Sequence, residues 1–496
     1  MDAVVKTRDG AVRGSIADGV VTFKSIPFAA PPFGANRFRP PQPVTPWSGV
    51  RDALEFGPDP PQLPPDPSFK EHQVPGEECL SLSIWAPKPG PTKLPVMVWI
   101  PVGMFEIGSG AWYDGSRFAR DGVVCVTINS RVGADGFLYL GDGDANPGML
   151  DQVAALKWVQ ENISAFGGDP GNVTVFGESA GAMSIGILLS MPRARGLFRR
   201  AIPESGAAHT VMSSATARRM GRYLAERLGV EPTREALAVV PVERFLRAQV
   251  ELKADIVAHP DPARWGIETV TTMLPFHPVI DGDVIPSLPI DRIAAGAGSD
   301  VDVLIGSNTD DWRLFVVMNG MFERTTDEAV AGMMALYGLP VEPTMRAYRA
   351  KYPGAIPGDL LGALETDWYV RIPAIRLADA HAKGGGATYM YEFAWQPPEF
   401  GGKFGAGHSM EIPFVFDLLD KTSPFVGTFI GPLLGDHPPQ ALADTMHAAW
   451  VAFARTGDPG WPRYDLRRRA TMRFDTTSAV VDDPRAAERA LWEGFR

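Results

Sequence analysis

Two cysteines in 496 residues, Cys79 and Cys125, are too few for a disulfide framework or a zinc cluster, and they read as two reduced, partly buried thiols. No stretch approaches the roughly 18 consecutive apolar residues that a membrane span needs. No block of Lys or Arg interrupts a chain whose formal net charge is −11. A nucleic-acid surface or an anionic membrane is therefore not the expected partner; a small, uncharged molecule is. The opening MDAVVKTRDGAVRG has neither the apolar centre of a signal peptide nor the Arg/Ser bias of a transit peptide, so a cytoplasmic location is expected. Repeats are absent, and so is any linker polar and long enough to mark a domain boundary. One elaborated domain over residues 1–496 is expected, as a monomer or homodimer.

What is present suits a large core, since 45% of the residues are hydrophobic. The 52 glycines and 46 prolines read as punctuation in a loop-rich fold. AVRGSIADGVVTFKSIPF predicts two strands joined at Asp18-Gly19, a turn pair that tolerates φ > 0, at an edge of a sheet. From Phe56 to Pro75 the chain is proline-dense, which predicts a stiff surface loop, expected to act as a passive connection, with an overhang above a site as the alternative. SLSIWAP, LPVMVWIP and GVVCVTI are short β-branched runs bounded by Gly or Pro, as expected of strands buried on both faces. A helix is predicted from about Leu150, with Val153, Leu156, Val159 and Ile163 at helical spacing and Gly167-Gly168 as its stop. ATARRMGRYLAERLG and ALADTMHAAWVAFARTG predict further helices, with strand-like VDVLIG and ATYMYEF between them. The class is α/β: a central, mostly parallel twisted sheet flanked by helices, with elaborated loops and helical insertions.

Chemistry concentrates in NVTVFGESAGAMSIGILLSMP. A predicted strand, Val173 to Phe176, runs into Gly177-Glu178-Ser179-Ala180-Gly181 and then into an apolar helix that stops before Pro192. Gly-x-Ser-x-Gly in a strand-turn-helix setting is a nucleophile elbow: a strained turn exposes the serine, and small neighbours allow strand and helix to close on it. The helix start behind the turn directs N–H groups toward developing negative charge. Ser179 is the candidate nucleophile. A plain glycine-serine turn is the alternative, and the flanking strand and helix oppose it.

The longer string AFGGDPGNVTVFGESAGAMS resembles the active-site signature of the type-B carboxylesterases, a family that contains the cholinesterases and bacterial para-nitrobenzyl esterases. GVVTFKSIPFAAPPFGANRFRPP, EECLSLSIWAP and WVAFARTGDPGWPRYD resemble its N-terminal segment, second signature and C-terminal helix and tail, so the likeness covers nearly the whole chain. The resemblance implies an α/β-hydrolase fold and a serine carboxylesterase that works through an acyl-enzyme, without metal or organic cofactor.

A hydroxyl is a weak nucleophile and needs a base, which in turn needs an acid to orient it. Among eight histidines, His408 in GAGHSMEIPFVF lies late in the chain on a glycine-rich loop and matches the family's catalytic histidine. His447 falls inside a helical pattern and reads as a packing residue. VDVLIGSNTDDWRLF offers two acids, and similarity to the family's Gly-x-x-x-Asp-Glu pattern places the catalytic one at Asp311, where the family usually has glutamate, rather than at Asp310. By resemblance Ser205 in PESGA supports that acid, although an ordinary strand-end serine reads equally well.

In relatives the strand resembling LPVMVWI is followed by His-Gly-Gly-Gly-Phe. Here those positions read Pro101-Val102-Gly103-Met104-Phe105, so the implied oxyanion hole is Gly103, Met104 and Ala180. Met104 can donate its N–H only where its φ/ψ remain accessible to a residue with a Cβ. NSRVG, the Pro147 of NPGMLDQ and the Glu204 of PESGA also depart from the family's usual wording in segments that approach the pocket in relatives, so a reshaped substrate pocket is expected. An acyltransferase, an amidase or a carbamate hydrolase with the same triad remains open, as does a non-catalytic binding protein on the same fold.

Overall fold

The computed structural model describes residues 2–63, 74–87, 93–420 and 422–495. In chain order the strands are β1 (Asp2–Lys6), β2 (Ala11–Ala17), β3 (Val20–Pro27), β4 (Val50–Asp52), β5 (Ser81–Pro87), β6 (Leu94–Ile100), β7 (Val124–Ile128), β8 (Gly168–Glu178), β9 (Arg200–Glu204), β10 (Met212–Ser213), β11 (Val279–Ile280), β12 (Asp302–Asn308), β13 (Thr388–Phe393), β14 (Ala470–Phe474) and β15 (Ala479–Asp482). The small pair β10–β11 stands apart. The main sheet runs β1-β2-β3-β5-β7-β6-β8-β9-β12-β13-β14-β15, with β4 also on β2. From β7 through β14 every neighbour is parallel, and both ends of the strand order are antiparallel, apart from β4, which lies parallel on β2.

The central strands read as continuous apolar runs because both faces are covered: every residue of β7, β9 and β13 is buried. Alternation survives in which core each side chain joins. Val96, Val98 and Ile100 of β6 pack in one cluster, and Met97 and Trp99 in the other. At the N-terminus Asp18 and Gly19 both take positive φ, 49° and 78°, which turns β2 back along β3 with Ala17 opposite Val20. β1 pairs outside β2, so this hairpin lies one strand in from the edge.

Pro147 opens the helix Pro147–Asn162 in its first turn, where a missing N–H is harmless. Ile163 belongs to a following 3₁₀ turn, Ile163–Phe166, which ends at Gly167 with φ 88°. The helices Ser214–Leu228 and Gln440–Thr456 likewise end at left-handed glycines, Gly229 and Gly457. Of the proline-dense stretch, residues 64–73 lie outside the described residues. Cys79 and Cys125 are fully buried free thiols, and burial pushes both well above the ordinary thiol range. Among the described residues no helix is long and apolar enough to cross a membrane.

Three loops leave the carboxyl ends of parallel strands near the middle of the sheet: 101–105 from β6, Ser179 from the adjacent β8 and 309–311 from β12, on the far side of β9. That end of an open parallel sheet is where ligands bind. A buried ion pair fixes the surroundings. Arg131 meets Asp151 through Nε–Oδ2 at 2.8 Å and Nη2–Oδ1 at 2.7 Å, and its Nη1 donates to the Arg39 carbonyl at 2.7 Å. Removing one partner strands the other charge in the core, so Arg131→Met is expected to destabilise the protein by about 3–5 kcal/mol. A urea midpoint within error of the parent's would contradict this.

Candidate active site

β8 ends at Glu178 and the helix Ala180–Ser190 begins two residues later, so Ser179 alone turns the chain, at φ 56° and ψ −121°. Such a conformation costs a non-glycine residue about 1–3 kcal/mol and needs neighbours to hold it. The Ser179 N–H donates to the Glu204 carbonyl and the Ser179 carbonyl accepts from the Met183 N–H, each at 2.9 Å. The flanking glycines have a specific cause in the end of β6. A Cβ at Gly177 would lie 2.6 Å from the Ile100 carbonyl oxygen, and one at Gly181 only 2.1 Å from it. Gly206, the glycine of PESGA, is needed on the other side, where a Cβ would lie 2.6 Å from the Ser179 carbonyl oxygen.

Asp311 and His408, 97 residues apart, are brought together twice over. The His408 Nδ1 lies 2.8 Å from Asp311 Oδ1, and the His408 backbone N–H donates to the Asp311 carbonyl at 2.9 Å. Asp311 Oδ2 accepts from the Asn308 N–H at 2.8 Å and lies 3.1 Å from Ser205 Oγ, which is also 3.1 Å from Glu411 Oε1. Asp310 turns elsewhere: its Oδ2 accepts from the Ala406 N–H at 3.1 Å and braces the loop that leads to His408. His447 sits in its helix with Nδ1 on the Val415 carbonyl and Nε2 on Asp121.

Behind His408 four carboxyl groups, Glu178, Glu204, Asp311 and Glu411, are 0% exposed. Burial first, and then mutual repulsion, holds Glu178 well above the ordinary carboxylate range, and burial does the same to Glu204. Glu411 is pushed up to about 7, chiefly by burial and then by the Asp311 charge, against the Asn308 amide that donates to it at 2.5 Å. Glu178 Oε1 lies 3.2 Å from His408 Nδ1, and the carboxyl group accepts from the Ser409 N–H and Oγ at 3.1 and 3.0 Å. Glu204 Oε1 accepts from the Trp450 indole at 2.8 Å. Glu178, Asp311 and His408 bring ligand-type atoms within 4.8 Å of one another, and the shortest of these approaches, His408 Nδ1 to Asp311 Oδ1 at 2.8 Å, is a hydrogen bond. Glu411 was missed from sequence, where its place three residues after His408 was its only signal.

The loop after β6 is shaped by three consecutive residues with positive φ: Gly103 at 129°, Met104 at 55° and Phe105 at 59°. A Cβ at Gly103 would lie 2.2 Å from the Ile107 carbonyl oxygen, so only glycine fits. Gly103 accepts from the Glu106 and Ile107 N–H groups, both at 3.0 Å, and Phe105 accepts from the Gly133 N–H at 2.6 Å. The proline-dense stretch is not the passive connection expected. Gln62 exchanges two hydrogen bonds with the Gly108 backbone, at 2.8 and 2.9 Å, and Asp59 accepts from Ser109 Oγ, so this stretch pins the far end of the loop.

Ser179, His408, Gly103 and Met104 all line one cavity of about 300 Å³. Trp112, Leu314, Phe315, Phe425 and Phe429 make most of its remaining wall apolar, with Glu106 on the same wall. The three further sequence departures expected near the pocket do not line it: no residue of NSRVG, 129–133, is on its wall, Pro147 starts a helix, and Glu204 faces Trp450.

The sequence profile of the carboxylesterase family matches residues 1–492. The chain belongs to that family. It is 37% identical to a para-nitrobenzyl esterase of Bacillus subtilis over 98% of this chain and 97% of that protein. It is also 35% identical to a fumonisin B1 esterase of Sphingopyxis macrogoltabida, over 94% and 85% of the two chains. Among solved structures, a carboxylesterase of Geobacillus stearothermophilus superposes with a TM-score of 0.86 at 38% identity, covering 99% of both chains. The carboxylesterase described here thus has the α/β-hydrolase fold, and it is a serine carboxylic ester hydrolase.

The buried acids of this esterase carry a pH signature. Between pH 4.5, the ordinary value, and about 7, folded Glu411 keeps a proton that the unfolded chain has released. Its contribution is therefore fully present below 4.5 and is lost as pH rises through about 7. Glu411→Gln is expected to flatten the fall in urea midpoint between about pH 5 and about pH 7.5. An unchanged slope would show that Glu411 is not protonated in the folded state.

Proposed function

We propose that Ser179 is the nucleophile, His408 its general base and acid, and Asp311 the carboxylate that orients His408. The reading rests on one observation above the others: a serine strained onto an elbow shares a cavity wall with a histidine whose Nδ1 is bonded to a buried aspartate. Asp311 fixes Nδ1 as the protonated nitrogen, which leaves Nε2 as the basic one. Ser179 Oγ attacks the ester carbonyl as His408 Nε2 takes its proton. The tetrahedral oxyanion is held by the N–H groups of Gly103, Met104 and Ala180, the last at a helix N-terminus. Collapse expels the alcohol with the proton from His408, and water repeats the sequence on the acyl-enzyme to release the acid. Ser205 supports Asp311 through its hydroxyl, and the elbow residues Gly177, Glu178 and Gly181 hold the turn.

The substrate we infer is a small, uncharged ester with aromatic or short alkyl groups. An apolar cavity of about 300 Å³ with an aromatic wall favours it, and the names of relatives that act on para-nitrobenzyl esters agree. The net charge of −11 speaks against a nucleic-acid partner, and two buried free thiols fit a reducing, cytoplasmic compartment. A main sheet whose strands run from Asp2 to Asp482 supports one domain over residues 1–496, working as a monomer or homodimer.

Two experiments test the assignment. A pre-steady-state time course with para-nitrophenyl acetate is expected to show a phenol burst that Ser179→Ala abolishes; an equal burst in the variant would dismiss Ser179. Gly103→Ala, whose Cβ has no room beside Ile107, is expected to lower kcat by roughly 100- to 1000-fold, the cost of a misdirected oxyanion donor. A kcat within a few-fold of the parent would remove Gly103 from that role.

A further inference from the structure

Met104 and Phe105 are consecutive residues with side chains in the left-handed region, a conformation that persists only where the surroundings over-determine it. The residue that follows them, Glu106, lines the cavity, and its carboxylate is paired with Lys253, 147 positions away in the chain. Lys253 belongs to the helix Val242–Ala258. One turn earlier, on the same helix face, Gln249 Oε1 accepts from the Ala134 N–H at 2.7 Å. The neighbouring Gly133 N–H in turn donates to the Phe105 carbonyl at 2.6 Å. A closed circuit results: helix, Lys253, Glu106, Phe105, Gly133, Ala134, Gln249 and back to the helix.

We propose that the Lys253–Glu106 pair is a positioning device that holds the Gly103–Phe105 loop with its N–H groups aimed at the oxyanion, and that this chain needs it because Met104 stands where the family motif has glycine. Glycine visits positive φ without penalty, whereas methionine relaxes toward negative φ unless held. Glu106 is thus a strut at the cavity wall and not a contact for the substrate. The proposal rests on the assignment of Gly103 and Met104 as oxyanion donors.

The test compares Lys253→Met, Glu106→Gln and Lys253→Arg in the parent and in Met104→Gly, with kcat normalised to active sites titrated by a para-nitrophenyl phosphonate. Lys253→Met and Glu106→Gln are expected to lower kcat roughly 10- to 100-fold with KM within about twofold, the signature of a displaced transition-state contact. Lys253→Arg keeps the charge and is expected to retain most of kcat. In the Met104→Gly background, breaking the pair is expected to cost less than about threefold in kcat, because the loop no longer relaxes. That background also keeps the test open if the single variants fail to accumulate. An unchanged kcat overturns the proposal, as does a KM effect alone, which would make Glu106 a substrate contact, or an equal loss in both backgrounds. Failure of the underlying assignment is read separately, as a phosphonate titre that survives in Ser179→Ala or a normal kcat in Gly103→Ala.

Discussion

The close approach of the Ile100 carbonyl to the elbow is the constraint on which the rest of the site depends. β6 and β8 are hydrogen-bonded neighbours, and β6 ends beside the turn where β8 becomes a helix. Only glycine at 177 and 181 lets the strand end and the helix start close to that distance. That closure bends Ser179 into a conformation it would not adopt alone. The same end of β6 launches the loop that carries Gly103 and Met104, so one contact sets the spacing between the proposed nucleophile and its proposed oxyanion donors.

Charge is the second organising quantity. Four buried carboxyl groups behind His408 would repel one another prohibitively if all were ionised, and burial resolves this by raising Glu178, Glu204 and Glu411. Asp311 approaches the His408 ring more closely than Glu178 does, at 2.8 Å against 3.2 Å, and it also collects a backbone N–H and the Ser205 hydroxyl. That closer approach, more than residue type, distinguishes the acid proposed to orient His408 from Glu178 beside it. This also gives the shorter aspartate a physical basis at a position where relatives usually carry glutamate. The Asn308 N–H and the His408 backbone draw it into reach from two sides.

Strain and bracing run together in the loop after β6. Gln62 and Asp59 hold its far end, Gly133 its middle and Lys253 the residue beyond Phe105. Such ties come from segments separated by tens to more than a hundred residues. A loop built this way can carry methionine in place of glycine because tertiary contacts, and not local preference, set its backbone.

Local patterns in the chain were enough to determine the turn at Asp18-Gly19, the buried strands β5 to β7, the helices that end at Gly229 and Gly457, and the elbow around Ser179. Each is governed by preferences acting over a few residues: positive φ at glycine, continuous β-branched runs bounded by glycine or proline, and helical spacing. Resemblance to the family then singled out Asp311 and His408 by motif position. Only the tertiary structure decided which carboxylates share the space behind His408, that Glu411 is among them, that the proline-dense stretch pins the loop rather than merely connecting strands, and that Met104 lies at φ 55°. Those facts depend on atoms brought into contact across as many as 246 positions of sequence. Burial and hydrogen-bond partners at that range belong to the packed molecule and to no local segment of it.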